Sequence, residues 1–108
     1  MSNYKRQLNG KDEQFYKVFL TEIVPLIPYG YKSLIATKAG VNKSQFAQFC
    51  KGSRPTLMES LKFRNAVIIT CTLVADYLKS VKKLESFKNE LKNKGFTNAE
   101  FKEYLEKI

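Results

Sequence analysis

The sequence predicts an all-α fold: a helical bundle closed by a C-terminal helical hairpin. Three observations carry that expectation. Apolar residues recur three and four apart, as in Phe15, Phe19 and Ile23 or Leu84, Phe87 and Leu91. Capping signals and Pro or Gly stops divide the chain into helix-length pieces. The one β-branched run, from Val67 to Val74, has no visible partner strand, and a lone strand leaves its backbone unsatisfied. At 108 residues the chain reads as one domain, 1–108, large enough for a modest core. Within it, 10–78 is the bundle and 79–108 the amphipathic C-terminal part.

The elements follow in order. Asp12 is placed to cap a first helix carrying Phe15, Val18, Phe19 and Ile23. Pro25 and Pro28 end it, and Pro28-Tyr29-Gly30 is a turn signal. Two short helices are expected over 32–51. Gly52-Ser53-Arg54-Pro55 is a loop. Thr56 and Glu59 form a capping box that should open the next helix. That helix contains the run Ala66 to Ala75, which is β-branched and strand-prone by propensity. As a helix it is apolar on more than one side, so burial on two faces is expected. The second face meets either the C-terminal hairpin or another subunit. Lys79 to Lys94 continues as an amphipathic helix with Val81, Leu84, Phe87 and Leu91, and Gly95 stops it. A second capping box, Thr97 to Glu100, starts a last helix with Phe101, Tyr104, Leu105 and Ile108. These C-terminal helices are too short to stand alone in water. They dock either on the chain's own core or, through Leu84, Phe87, Leu91, Phe101 and Leu105, on a second copy.

The segment from Lys32 to Lys51 is the most informative. Ile35, Ala36 and Ala39 supply the apolar face of a short first helix. Gly40 supplies the turn, where positive φ disfavours a side chain, and Val41 returns to the core. Asn42 caps the second helix, with Gln45 three residues on. Phe46 and Phe49 hold that helix to the core. This is a helix-turn-helix pattern. Its outward side carries Asn42, Lys43, Ser44, Ala47, Gln48 and Lys51, which suit base edges in a major groove. Lys43, Ser44 and Gln48 are the expected base readers: Gln48 can pair bidentately with adenine, and Lys43 can reach guanine acceptors. Asn42 caps, contacts the DNA, or both. Lys32, Ser33, Lys38, Lys51 and Arg54 are the expected phosphate contacts. Tyr29 and Tyr31 are read first as packing or surface residues, with hydrogen bonds to the DNA backbone as the alternative.

Residues 32–57 resemble the phage-repressor type of helix-turn-helix, the lambda repressor-like proteins. The run Gly40-Val41-Asn42-Lys43-Ser44-Gln45 is similar to the recognition-helix start of the lambda CII activators. Phe49-Cys50-Lys51-Gly52-Ser53-Arg54-Pro55 resembles the glycine-containing loop after the recognition helix in repressor-type domains. The resemblance implies a lambda repressor-like bundle. It also implies a transcription regulator of phage or mobile-element origin. In CII-like activators the segment after the DNA-reading helices serves oligomerisation, but the C-terminus here does not resemble theirs.

Charge points the same way. Nineteen Lys and Arg stand against ten Asp and Glu, a net +9. From Ile23 to Met58 there is no acid, while Lys32, Lys38, Lys43, Lys51 and Arg54 fall inside. A solvated helical surface usually mixes signs, and a one-sign field is the footprint of a polyanion binder. Double-stranded DNA is therefore the expected partner. A homo-oligomer, a dimer first, is expected with it, because one helix-turn-helix spans only a few base pairs.

Other classes fare poorly. The chain has no histidine, and its carboxylates are scattered, so no catalytic constellation, metal site or cofactor is expected. Cys50 and Cys71 read as buried, reduced thiols. No apolar run approaches the roughly 20 residues of a membrane span. The N-terminus lacks an apolar signal core, so a cytoplasmic protein is expected, with no membrane and no evident small-molecule ligand. The alternative from a different class is a helix-turn-helix scaffold that binds protein, as a phage inhibitor of a host or defence protein does. General nucleoid or RNA binding comes third, and the lack of an RNA-stacking signature counts against RNA.

Overall fold

Phe15, Phe19 and Ile23 are all fully buried, although a repeat of four drifts by about 40° per step on an α-helix. The chain meets that drift by changing pitch. In the computed structural model, which describes residues 10–94 apart from the side chain of Lys11, α1 spans Gly10–Val18 and then widens into a π-helical turn, Phe19–Ile23. A 3-10 turn, Val24–Leu26, follows, with Pro25 at its start. Proline has no N–H to continue the ladder, so the helix closes there as the sequence suggests. Asp12 is not the cap. It lies in the first turn of a helix that begins at Gly10, and its carboxylate instead pairs with Arg64 at 2.7 Å.

α2 is Tyr31–Ala39 and α3 is Lys43–Cys50. α2 ends on Gly40 at φ 72°, where the Gly40 N–H donates to Thr37 O and the Val41 N–H to Ala36 O. α3 ends the same way on Gly52 at φ 86°, with the Ser53 N–H reaching Gln48 O. Both are left-handed C-terminal closures that favour glycine. A side chain at Gly52 would also crowd Leu20, 3.3 Å from where its Cβ would sit.

The Thr56–Glu59 box does not open the next helix. Pro55–Glu59 is a 3-10 turn, and α4 (Leu61–Ser80) is capped by Ser60, whose Oγ accepts from the Phe63 N–H at 3.5 Å. The reason lies in phase. Met58 and Phe63 are both buried, yet five residues on one continuous helix point about 140° apart. The break at Ser60 lets both enter the core. α4 carries the strand-prone run as helix, as expected, and its residues Phe63, Ala66, Val67, Thr70, Cys71, Val74 and Leu78 are buried. The Thr70 hydroxyl is satisfied by Ala66 O at 2.8 Å.

The helix expected over 79–94 is broken. α4 stops at Ser80, Lys82 adopts φ 59°, and α5 runs Leu84–Asn93. Leu78 and Phe87 would lie on opposite sides of one continuous helix, about half a turn apart. The turn folds the second apolar stripe back, so that Phe87 and Leu91 are buried and Leu84 packs against the core. Lys94 closes the arrangement by pairing with Glu22 at 2.5 Å. Between the two ways of docking this segment, the structure shows α5 on its own core. The last expected helix, from Thr97, and its apolar residues lie outside the described residues.

Among the described residues the architecture is all-α: five α-helices with short π and 3-10 segments, and no strand. None of these helices is long and apolar enough to cross a membrane. The core centres on Phe49, whose ring lies 4.8 Å from Tyr16, 5.8 Å from Phe19, 6.3 Å from Phe46 and 5.4 Å from Phe63. α3 is thus held from beneath by rings from three other segments. Edge and tilted ring contacts of this kind add stabilisation beyond area burial.

Candidate nucleic-acid interface

α3 is short, so its position depends on its ends and its inner side. At the N-terminus, Asn42 Oδ1 accepts from the Gln45 N–H at 2.9 Å, which makes Asn42 the cap that the sequence predicts. Its amide NH2 is left for a ligand. At the C-terminus, the buried Tyr16 hydroxyl donates to Phe49 O at 2.5 Å and ties α3 to α1. Phe46, Phe49 and Cys50 face inward. Lys43, Ser44, Gln48 and Lys51 are exposed, with Asn42 beside them. The outward side expected from sequence is therefore exposed in the folded chain, except for Ala47, which is half-buried.

One contact goes beyond that expectation. The Arg54 Nε–H donates to Gln48 Oε1 at 2.5 Å. The sequence assigns Gln48 to base edges and Arg54 to phosphate, as separate roles. The fold joins them. Gln48 keeps both amide N–H donors and one oxygen lone pair, and Arg54 keeps four of its five N–H groups. The two form one pre-positioned donor-rich unit. The left-handed Gly52 that returns the chain toward α3 is the local signal that could have revealed the contact.

The remaining candidates divide between two places. Lys32 and Ser33 are exposed in the first turn of α2. Lys32 lies close enough to Cys50 for its charge to act on that thiol, so it belongs to the C-terminal end of α3, with Lys51 and Arg54. Lys38 is also exposed, but stands about a third of a turn round α2 from Lys32. It lines a depression with Ile68, Ile69, Thr72 and Leu73 of α4. The structure thus gathers the other expected residues around α3 and α2's first turn, and sets Lys38 apart. Tyr29 is fully exposed at the turn before α2, and Tyr31 is 41% exposed.

The field over this surface stays positive. The acids that bound this stretch in sequence are Glu22 and Glu59, and Glu22 is engaged by Lys94 from beyond α3. Burial pushes the Cys50 thiol up to about 11, with Lys32 pulling weakly the other way, and pushes Cys71 up to about 12. Burial, helped by Cys50, also raises the Tyr16 phenol. Both cysteines are free and buried, as expected, and neutral thiols of this kind are poor nucleophiles.

Comparison of the chain with protein-family models, curated proteins and solved structures finds no match.

Proposed function

We propose that the chain is a sequence-specific DNA-binding transcriptional regulator of lambda repressor-like helix-turn-helix type, from a phage or mobile element, acting as a homo-oligomer. α3 enters the major groove. Lys43, Ser44 and Gln48 read base edges, with Asn42 at the groove's rim. Lys32, Ser33, Lys51 and Arg54 grip phosphates on either side. The observation that carries this reading is the α3 surface itself: a capped helix, anchored by Phe46 and Phe49, whose whole exposed side is donor-rich or basic and free of acids. A helix used only as a structural strut has no need for that composition. The Gly40 turn fixes the angle at which α3 projects, which a reading helix requires.

The test is a selection of genomic fragments on purified protein, read out by sequencing. A single enriched motif, lost in the Gln48→Ala variant, is the expected result. Equal recovery of all fragments would replace the reading with nonspecific nucleic-acid binding. No recovery at moderate salt would favour the scaffold that binds protein instead.

A further inference from the structure

An amide side chain carries a donor end and an acceptor end, so the base it reads depends on which end is free. The fold decides this for both exposed amides of α3 and its cap. Asn42 Oδ1 is occupied by the Gln45 N–H at 2.9 Å. Gln48 Oε1 is occupied by the Arg54 Nε–H at 2.5 Å. Arginine has no acceptor, so the Gln48 atom that meets it must be the oxygen, and the NH2 is turned away.

The loop after α3 keeps Arg54 in that place. The Ser53 N–H donates to the main-chain oxygen of the same Gln48 at 3.0 Å. Gly52 supplies the left-handed turn, and Pro55 bars Arg54 from helical backbone. Arg54 forms no ion pair among the described residues, so no carboxylate draws it from Gln48. Both amide oxygens are thus engaged by the protein, and both NH2 groups are left for a ligand. Lys43 and Lys51 carry donors alone. Among the exposed side chains of α3 and its two caps, only the Ser44 hydroxyl has an acceptor that no protein group uses.

Such a face does not suit adenine. Glutamine reads adenine by accepting from N6–H while donating to N7. Here the N6 amino group would share Oε1 with the guanidinium, a donor set beside a cation. Cytosine presents a donor as well, and thymine a single acceptor and a methyl group. Guanine presents two adjacent acceptors, O6 and N7. The charge-assisted bond to Oε1 also polarises the amide and strengthens its NH2 as a donor.

We infer that Gln48 reads guanine, and that Arg54 is the positioning residue that sets this choice while its Nη groups remain for phosphate. The inference rests on α3 being the DNA-reading helix.

The test titrates the full chain against duplexes of the selected motif with each base in turn at each position. The position that Gln48 reads is the one where Gln48→Ala ceases to discriminate. There the wild type should prefer guanine over adenine by at least about tenfold, within the range of one good base contact. Arg54→Ala should lower that guanine-to-adenine ratio by at least about tenfold, because the released oxygen is then free to accept from N6–H. Loss of a phosphate contact alone would weaken all four duplexes alike and leave the ratio unchanged. A wild type that prefers adenine at that position, or a smaller fall in Arg54→Ala, overturns the inference and leaves α3 as the reading helix. So does a Gln48→Ala variant that discriminates everywhere as the wild type does. A second measurement needs no DNA. In NMR of the free chain, the Arg54 Nε–H should exchange with water more slowly in the wild type than in Gln48→Ala, and equal rates overturn the pairing. Slow exchange without any selected motif would mean that the pair exists and that the DNA reading of α3 has failed, taking the inference with it.

Discussion

Gln48 and Arg54 meet before any ligand arrives. Holding a long side chain in place beforehand reduces the entropy lost on binding. The two residues should therefore behave as a unit. Gln48→Ala is expected to lower the cognate-to-scrambled ratio by about 1–3 kcal/mol. Arg54→Ala should weaken binding to every duplex and also lower that ratio, because it releases Gln48. The double variant should lose less than the sum, as residues in one network do. Titrations of the four proteins on both duplexes measure this, and strict additivity would dissolve the unit. Asn42 poses a separate question. Its cap is local, so Asn42→Ala should cost about 1 kcal/mol of stability in urea unfolding, whatever happens to DNA binding. The buried thiols give a pH dependence whose sign is fixed. A group whose pKa is raised on folding holds its proton more tightly in the folded state, so its stabilisation is present at low pH. For Cys71 that stabilisation should fade above pH 9, the ordinary thiol value, and be lost approaching about 12. Cys71→Ala should flatten that alkaline slope in urea titrations carried from neutral pH to above the ordinary thiol value.

At the scale of elements, the breaks in the chain are matters of helical phase. α4 ends in a closure like those at Gly40 and Gly52: the Lys82 N–H donates to Lys79 O and the Lys83 N–H to Leu78 O. Lys82 occupies the left-handed position that glycine fills in the other two. An L-residue there is strained by roughly 1 kcal/mol. Lys82→Gly should recover most of that, and a raised urea midpoint with an unchanged slope is the measurement. α5 depends on its own chain for burial. Leu91→Ala should cost about 2–5 kcal/mol, as deletion of a buried leucine does, without changing the oligomeric state. Loss of the dimer at constant stability would instead place Leu91 between subunits.

For the whole molecule, salt dependence reports how much charge reaches DNA. With Lys38 set apart, each copy offers Lys32, Lys51 and Arg54 to phosphates beside α3. Two copies then make about six charged phosphate contacts, and log K should fall against log salt with a slope of about −5. Lys38→Ala should leave that slope unchanged, whereas Lys32→Ala should reduce its magnitude by about 2 in a dimer, one contact from each copy. A slope near zero for the wild type would mean that the acid-free stretch from Ile23 to Met58 is not a DNA surface.

Features under local control are legible in the order of the residues. Gly40 as the turn, Asn42 as the cap, and Phe46 and Phe49 as the inner side of α3 all rest on residues within a few positions of each other, whereas the helicity of Val67–Val74 ran against local propensity and was legible because the chain offers no partner strand. Most of the candidate interface was legible for the first of these reasons. Features that depend on distant partners emerge only when the chain packs. Asp12 pairs with Arg64, 52 residues away, instead of capping its helix. Tyr16 anchors Phe49 from 33 residues away. Lys38 turns toward α4 because Ile35, Ala36 and Ala39 together choose which side of α2 is buried. The breaks at Ser60 and Lys82 were within reach of the sequence, since the apolar stripes on either side are out of phase. Yet neither position carries a glycine or proline to announce it. Only packing shows that one rigid helix could not bury both stripes in the same core.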